Sequence, residues 1–271
     1  MHRGLYAAAS AMIVQETMHD VTANNLANVS SSGFRKRIPV NKSFPEVLMD
    51  RVEKMSEDGS VKLVSSPFQL GFRGKFIIGD LSLANVMSET YMSTEEGALQ
   101  VTDAPLDAAI IGEGYFTVQD GAGNTFYTRS GHFRRSAEGQ LVTHDGMLVL
   151  GDGGPVEFGE AVQVSIGEGG QIIADGDVID VLQVVAFPDP TYLRQAGRTT
   201  VAASENSGAP VALEGEEIRI ESGALEMSNV NVVEEMVRMV EAHRAYEASS
   251  KTLMTHDEMT GKLITSFGRT S

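Results

Sequence analysis

The sequence predicts a mixed α and β fold: long N- and C-terminal helices forming a coiled-coil-like layer, with a mainly antiparallel all-β domain inserted between them. Three observations carry this. Residues 224–267 are rich in good helix formers, with no Gly or Pro from Leu225 to Thr260. Residues 5–28 repeat small apolar side chains at helical spacing. The stretch between about 84 and 221 consists of short apolar runs separated by Gly-Asp, Gly-Asn and Asp-Gly turns, the pattern of β-hairpins. The expected division is a terminal helix over 1–33, a connector or arm over 34–83, a β-rich domain over 84–223 and a closing helix over 224–271.

In the N-terminal helix, Ala7, Ala11, Val14, Met18 and Val21 follow steps of four and three. Leu5, Ala8 and Met12 sit on the adjoining flank. Such a narrow seam of small residues lets a neighbouring backbone approach closely, yet it leaves the isolated helix marginal in water. The helix is expected to end in Ala23–Phe34, where Asn24, Asn25 and Asn28 tolerate left-handed turns, three serines weaken the helix and Gly33 stops it.

Residues 34–60 combine a basic turn, two prolines and a short helix expected around Pro45–Met55, and an extended stretch broken at Gly71, Gly74 and Gly79 follows up to 83. The β-rich stretch follows, with runs such as YFTV (115–118), MLVL (147–150) and VLQVVAF (181–187) between turn signals. In the closing helix, Met236, Met239, His243, Tyr246, Ser250 and Leu253 recur at steps of three and four. Ser228 or Asn229 is placed to cap its start, and Glu234 and Glu235 suit its first turns. A helix of roughly 35 residues is about 50 Å long at 1.5 Å per residue, so it needs a partner.

Composition narrows the function. The net charge is −16, and there is no Cys and no Trp among 271 residues. Without Cys there is neither a disulfide framework nor a thiolate metal site. Residues 1–42 carry five basic side chains against two acidic ones, so the negative charge is concentrated in the middle of the chain. That balance argues against nucleic-acid binding, which needs a basic footprint. No run of 18 apolar residues is present, so no membrane insertion is expected. The N-terminus is interrupted by Gln15, Glu16 and Asp20, which is unlike a cleaved secretory signal.

Candidate sites are weak. The six histidines form no His-Glu-x-x-His pair, and His243 on the helix seam reads as a packing or intersubunit residue. Asp175, Asp177 and Asp180 around Gly176 do not match a calcium-binding loop and fit a hairpin turn better. The Gly-rich pieces at 112–114 and 151–154 do not open helices after strands, so no nucleotide site is expected. No nucleophile elbow occurs. The reading is therefore no enzyme, no metal, no cofactor and no small-molecule substrate. The alternatives are a hydrolase or carbohydrate-binding β-protein, which would need a convergent pocket of polar groups, and a secreted binding module, which would not need seam-bearing helices at both ends.

Three blocks resemble the axial proteins of the bacterial flagellum, specifically its basal-body rod proteins. These are RGLYAAASAM…ANNLANVSSSGFRK at the N-terminus, EEGALQVTDAPLDAAIIGEGYFTV…YTRSGHFRRSAEGQLVTHDGMLVLGDGGPV in the middle and GALEMSNVNVVEEMVRMVEAHRAYEASSKTLMTHDEM near the C-terminus. The blocks cover about half the chain. Departures are modest: Ser30-Ser31, Ala11 and His243 stand where family members often carry other residues. Length and the segments NKSFPEVLMDRV and VVAFPDPTYLRQAG look most like the proximal-rod type, with the distal-rod type next and a hook-type subunit less similar.

The resemblance implies a structural subunit of a helical tube in the basal body, exported without a cleaved signal by the flagellar type III apparatus. Its partners would be copies of itself and other rod or hook subunits. The assembly interface would be carried by Leu5, Ala7, Ala11, Val14, Met18 and Val21, by Asn24, Asn25, Leu26 and Asn28, and by Met236, Met239, His243, Tyr246 and Leu253. A seam that is satisfied only by neighbouring copies is a polymerisation surface, and a contact that does not close generates a filament.

Overall fold

The computed structural model describes residues 2–43, 85–159, 161–213 and 218–268. The short helix expected near Pro45–Met55 and the extended stretch up to 83 lie outside the described residues. The chain begins with helix α1, His2–Ala27, and closes with helix α2, Val232–Gly268. Between them in sequence the described residues form short strands, predominantly antiparallel. The chain divides into two compact units. Of the described residues, one holds 2–21, 39–43, 85–90 and 237–268, and the other holds those of 22–38 and of 91–236.

The β-rich unit is built on strand β5 (Tyr115–Gln119), which pairs with β6 (Thr125–Thr128), β9 (Leu148–Gly151) and β14 (Val184–Ala186). The same sheet continues outward from β6 to β16 (Thr200–Ala202) and from β9 to β8 (Leu141–Thr143) and β7 (Phe133–Arg135). Because successive side chains of a strand face opposite ways, β5 divides its apolar residues between two cores. Phe116 and Val118 enter the larger core with Phe133, Leu141, Val149, Ile172 and Leu182. Tyr115 enters a second core with Met92, Tyr127, Val185, Phe187, Leu193 and Val201. Edge-to-face contacts order both: Phe116 with Phe133 at 5.1 Å between ring centroids, and Phe187 with Tyr127 at 4.9 Å.

The Gly-rich signals form the turns that join these strands. At DGAGN, Asp120 Oδ1 accepts from the Ala122 and Asn124 N–H groups, closing the β5–β6 hairpin. At ADGD, Asp175 (φ 51°) and Gly176 link β12 (Gln171–Ala174) to β13 (Asp177–Val181). Two of the three carboxylates around Gly176 serve the backbone. Asp175 Oδ1 accepts from Gln163 N–H at 2.9 Å and Asp180 Oδ1 from Val181 N–H at 2.8 Å.

Three expectations need correcting. The closing helix does not begin at Ala224. Ala224–Glu226 is strand β19, antiparallel to β3 (Leu99–Val101), because alternate burial of Ala224 and Glu226 suits a strand there. The helix cap is not Ser228 or Asn229: Asn231 Oδ1 accepts from the Val233 and Glu234 N–H groups, while Asn229 is engaged elsewhere. Residues 34–38 are not loose connector. Phe34 and Arg35 are buried, and strand β1 (Arg37–Ser43) pairs with β2 (Asn85–Met92).

In the other unit, α1 and α2 lie side by side and antiparallel. Gly4 of α1 faces the His256 ring so closely that a Cβ would fall 2.9 Å from Nε2. Further along, Gln15, Glu16 and His19 line a groove of about 180 Å³ with Ala242, His243 and Tyr246. Ala8, Val14 and Ala242 are buried.

Candidate functional site: a charged junction and two helix faces

The sequence blocks from the two ends of the chain meet in the β-rich unit, around a buried carboxylate. Glu226, 2 % exposed, takes the Arg35 guanidinium on Oε1 at 2.7 Å (Nη2) and the Gly97 N–H on the same oxygen at 3.0 Å. Arg129 Nε lies 3.0 Å from Oε2, an ion pair without hydrogen-bond alignment. Each arginine also serves backbone carbonyls. Arg35 Nη1 donates to Thr94 O at 2.8 Å and to Glu95 O. Arg129 donates to Gly114 O at 2.7 Å and Gly112 O at 2.6 Å. Burial lowers the Arg129 pKa from its ordinary value, and the Glu226 charge opposes that shift. Tyr115, beneath Arg129 at 5.7 Å, has its phenol pKa raised by burial, with Arg35 and Arg129 acting the other way.

Beside this pair, Asn25 works as a backbone mimic. Its Oδ1 accepts from Arg37 N–H and its Nδ2 donates to Arg37 O, both at 2.9 Å, and Nδ2 also donates to Glu235 Oε2 at 3.1 Å. Asn25 and Glu235 are each 1 % exposed. Lys36 Nζ stands 3.6 Å from Glu235 and 3.7 Å from Glu234. Lys36 N–H donates to Asn229 Oδ1 at 2.7 Å, and Asn229 Nδ2 donates to Glu95 O at 2.8 Å. Gly33 closes the set: its N–H donates to Glu226 O at 2.7 Å, at φ +67°, with Ser130 so near that a Cβ would meet the Ser130 nitrogen at 2.2 Å. Only glycine suits both the conformation and the space.

The sequence-derived interface residues divide by burial. On α1, Val14 is buried, Leu5, Ala11, Met18, Val21 and Leu26 are half-buried, and Ala7 is exposed. Asn25 and Asn28 are buried and Asn24 is exposed; Asn28 Nδ2 donates to Asn24 O, holding the helix end. On α2, Met239 and Leu253 are half-buried, whereas Met236 is 51 % exposed, Tyr246 37 %, and His243 faces solvent beside Glu247 at 3.3 Å. Among the residues of α2 whose burial is described, Glu235 and Ala242 are the buried ones, one residue before the expected Met236 and His243. Val237 and Val240 are each 52 % exposed, and Ile13 of α1 is 64 % exposed.

The charged members of the junction, Arg35, Lys36, Arg129, Glu226 and Glu235, carry no apolar periodicity, so seam analysis does not single them out. The signal available was their placement in the blocks GFRK, YTRSG, GALEM and VVEEM. Among the described residues, no group of three or more His, Cys, Asp or Glu is placed to hold a metal ion, and no helix is long and apolar enough to cross a membrane.

The fold and junction define a class: a subunit in which both ends of the chain return as adjacent helices, with a β-rich segment between them in sequence. Three family models match in the same order. They are described as flagella basal body rod protein (residues 5–35), flagellar hook protein FlgE/F/G D1 domain (109–174) and flagellar basal body rod FlgEFG protein C-terminal (221–266). The chain is similar over nearly its whole length to curated relatives. It is 34 % identical to the flagellar basal-body rod protein FlgG of Bacillus subtilis, covering 97 % of this chain and 98 % of that one. It is 32 % identical to FlgG of Caulobacter vibrioides (95 % and 96 %). It is 25 % identical to the flagellar hook-basal body complex protein FlhO of Bacillus subtilis (99 % and 100 %). The chain belongs to the flagellar basal-body rod protein family.

Proposed function

We propose that this chain is a structural subunit of the flagellar basal-body rod, joining neighbouring copies of itself and other rod or hook subunits through its terminal helices. It acts in the basal body, is needed for motility, performs no catalysis and needs no cofactor. It reaches the rod through the flagellar export apparatus without a cleaved signal. The terminal helices form a coiled-coil-like layer in the assembled rod, and the β-rich domain between 84 and 223 is a separate element of each subunit.

The observation that carries this reading is the exposure of apolar side chains along α2. Val237, Val240, Met254, Met259 and Ile264 are each more than half exposed, and the first two lie away from the buried Ala242. Apolar side chains in such number on one long helix gain burial energy from neighbouring helices, at about 25 cal/mol per Å² of apolar surface removed from water. The buried junction supports the same reading, because it ties the chain on both sides of the β-rich segment to one point.

The test is replacement of the chromosomal copy by a deletion, followed by motility assay and electron microscopy of isolated basal bodies. Loss of swimming with rods missing or truncated is the expected result. Motile cells with complete rods would contradict it.

A further inference from the structure

The β-rich unit carries a pair of histidines that neither its core nor its junction uses. The antiparallel ladder of β7 and β8 pairs Phe133 with Thr143 and Arg134 with Val142. One residue beyond that ladder, His132 ahead of β7 and His144 in the turn after β8 are neighbours. The two imidazole rings stand 6.1 Å apart between centroids, tilted by 36°. Both histidines are exposed.

A second observation concerns orientation. His132 Nδ1 is 2.8 Å from Oδ1 of Asp107, a carboxylate only 3 % exposed, whose other oxygen accepts from Thr102 Oγ1 at 2.7 Å. Asp107 is further fixed by its backbone, since its N–H donates to Ala104 O and its carbonyl accepts from Gly223 N–H. A carboxylate oxygen only accepts, so Nδ1 is the donor in this contact and Nε2 is the nitrogen left for a ligand. A buried carboxylate fixing the tautomer of a surface imidazole is the outer half of the carboxylate–histidine–metal arrangement.

We propose that His132 and His144 form a two-histidine site for a late first-row divalent cation, of the Zn²⁺, Ni²⁺ or Cu²⁺ class, with Asp107 as the orienting residue. Imidazole nitrogen suits these ions, and carboxylate-preferring Mg²⁺ and Ca²⁺ are excluded by the donor set. At a metal–nitrogen distance of about 2.0–2.1 Å, two rings sharing a tetrahedral ion have centroids roughly 5 Å apart. The exposed rings thus need to close by about 1 Å, which side-chain rotation at the sheet surface supplies. Water fills the remaining positions, since only two protein ligands converge. Arg134 is the opposing charge on this face: its guanidinium donates to His144 O at 3.0 Å. The site is therefore one of modest affinity.

The test is titration of the purified full chain with Zn²⁺ by calorimetry at pH 7.5, and with Cu²⁺ by electron paramagnetic resonance. The expected result is one saturable site with two nitrogen ligands, weakened at least tenfold by His144→Asn or by His132→Asn. Asp107→Asn is expected to weaken binding tenfold or more through the orientation of His132. If Asp107→Asn impairs folding, the His144 variant, altered only in an exposed turn, still decides. Absence of saturable binding would overturn the proposal. So would binding unchanged in the double variant His132→Asn/His144→Asn, which would assign the metal to adventitious sites on the acidic surface.

Discussion

Arg35 and Glu226 form an ion pair at 2.7 Å in which the side chains are 5 % and 2 % exposed. One residue follows the N-terminal helix and its Gly33 turn; the other ends the strand that leads into the C-terminal helix. Breaking a buried pair leaves an uncompensated charge, and here Glu226 compensates two arginines. Glu226→Gln should destabilise the β-rich unit by about 3–5 kcal/mol in denaturant unfolding. An effect below about 1 kcal/mol would show that water reaches the pair.

Gly33→Ala adds a Cβ at φ +67° against the Ser130 backbone. The left-handed conformation alone costs roughly 1–2 kcal/mol, and the contact adds to it. Asn25→Ala removes three hydrogen bonds and orphans buried groups, at about 1–3 kcal/mol for each unsatisfied group. Chemical denaturation of both variants measures these losses, and each should exceed that of Asn24→Ala on the exposed side.

Burial raises the Tyr115 pKa above its unfolded value. Between the unfolded and folded values the unfolded chain binds fewer protons, so stability falls as pH rises. The loss begins near pH 10, where unfolded tyrosine ionises. Tyr115→Phe should flatten the decline of stability above pH 10 relative to the parent protein. Equal slopes in the two proteins would mean that the phenol is hydrated.

The last turns of α1 and the first turn of α2 belong to the β-rich unit, whereas 2–21 and 237–268 belong to the helical one. In the free monomer, hydrogen exchange should therefore show protection at 25–38 and 224–235 and rapid exchange in 2–21 and 237–268. Equal protection throughout would mean that the helical unit folds without neighbours.

The helices and hairpins were legible because their signals are local: apolar residues at steps of three and four, and Gly with Asp or Asn at turns. The register of α2 was less so. Met236 and Glu235 are neighbours, and a hydrophobic criterion selects Met236, yet Glu235 is the buried one because Lys36 and Asn25 meet it there. The capping residue escaped for a related reason, since Ser228, Asn229 and Asn231 all have capping chemistry and Asn229 is taken by Lys36. The junction was least legible. Its members include residues 25, 35, 36, 129, 226 and 235, and no pattern within one window links an arginine at 129 to a glutamate at 226.

In the proposed rod function the terminal helices are the contact between subunits. The chain has no cysteine, so a single introduced thiol is a clean probe. Val240→Cys, at a half-exposed position of α2, and Val162→Cys, 86 % exposed in the β-rich unit, should be compared with a short thiol cross-linker on isolated basal bodies. Efficient covalent linkage of the Val240 variant to a neighbouring subunit, well above that of the Val162 variant, is the predicted result. Linkage at Val162 with none at Val240 would contradict the account and give the assembly contact to the β-rich unit.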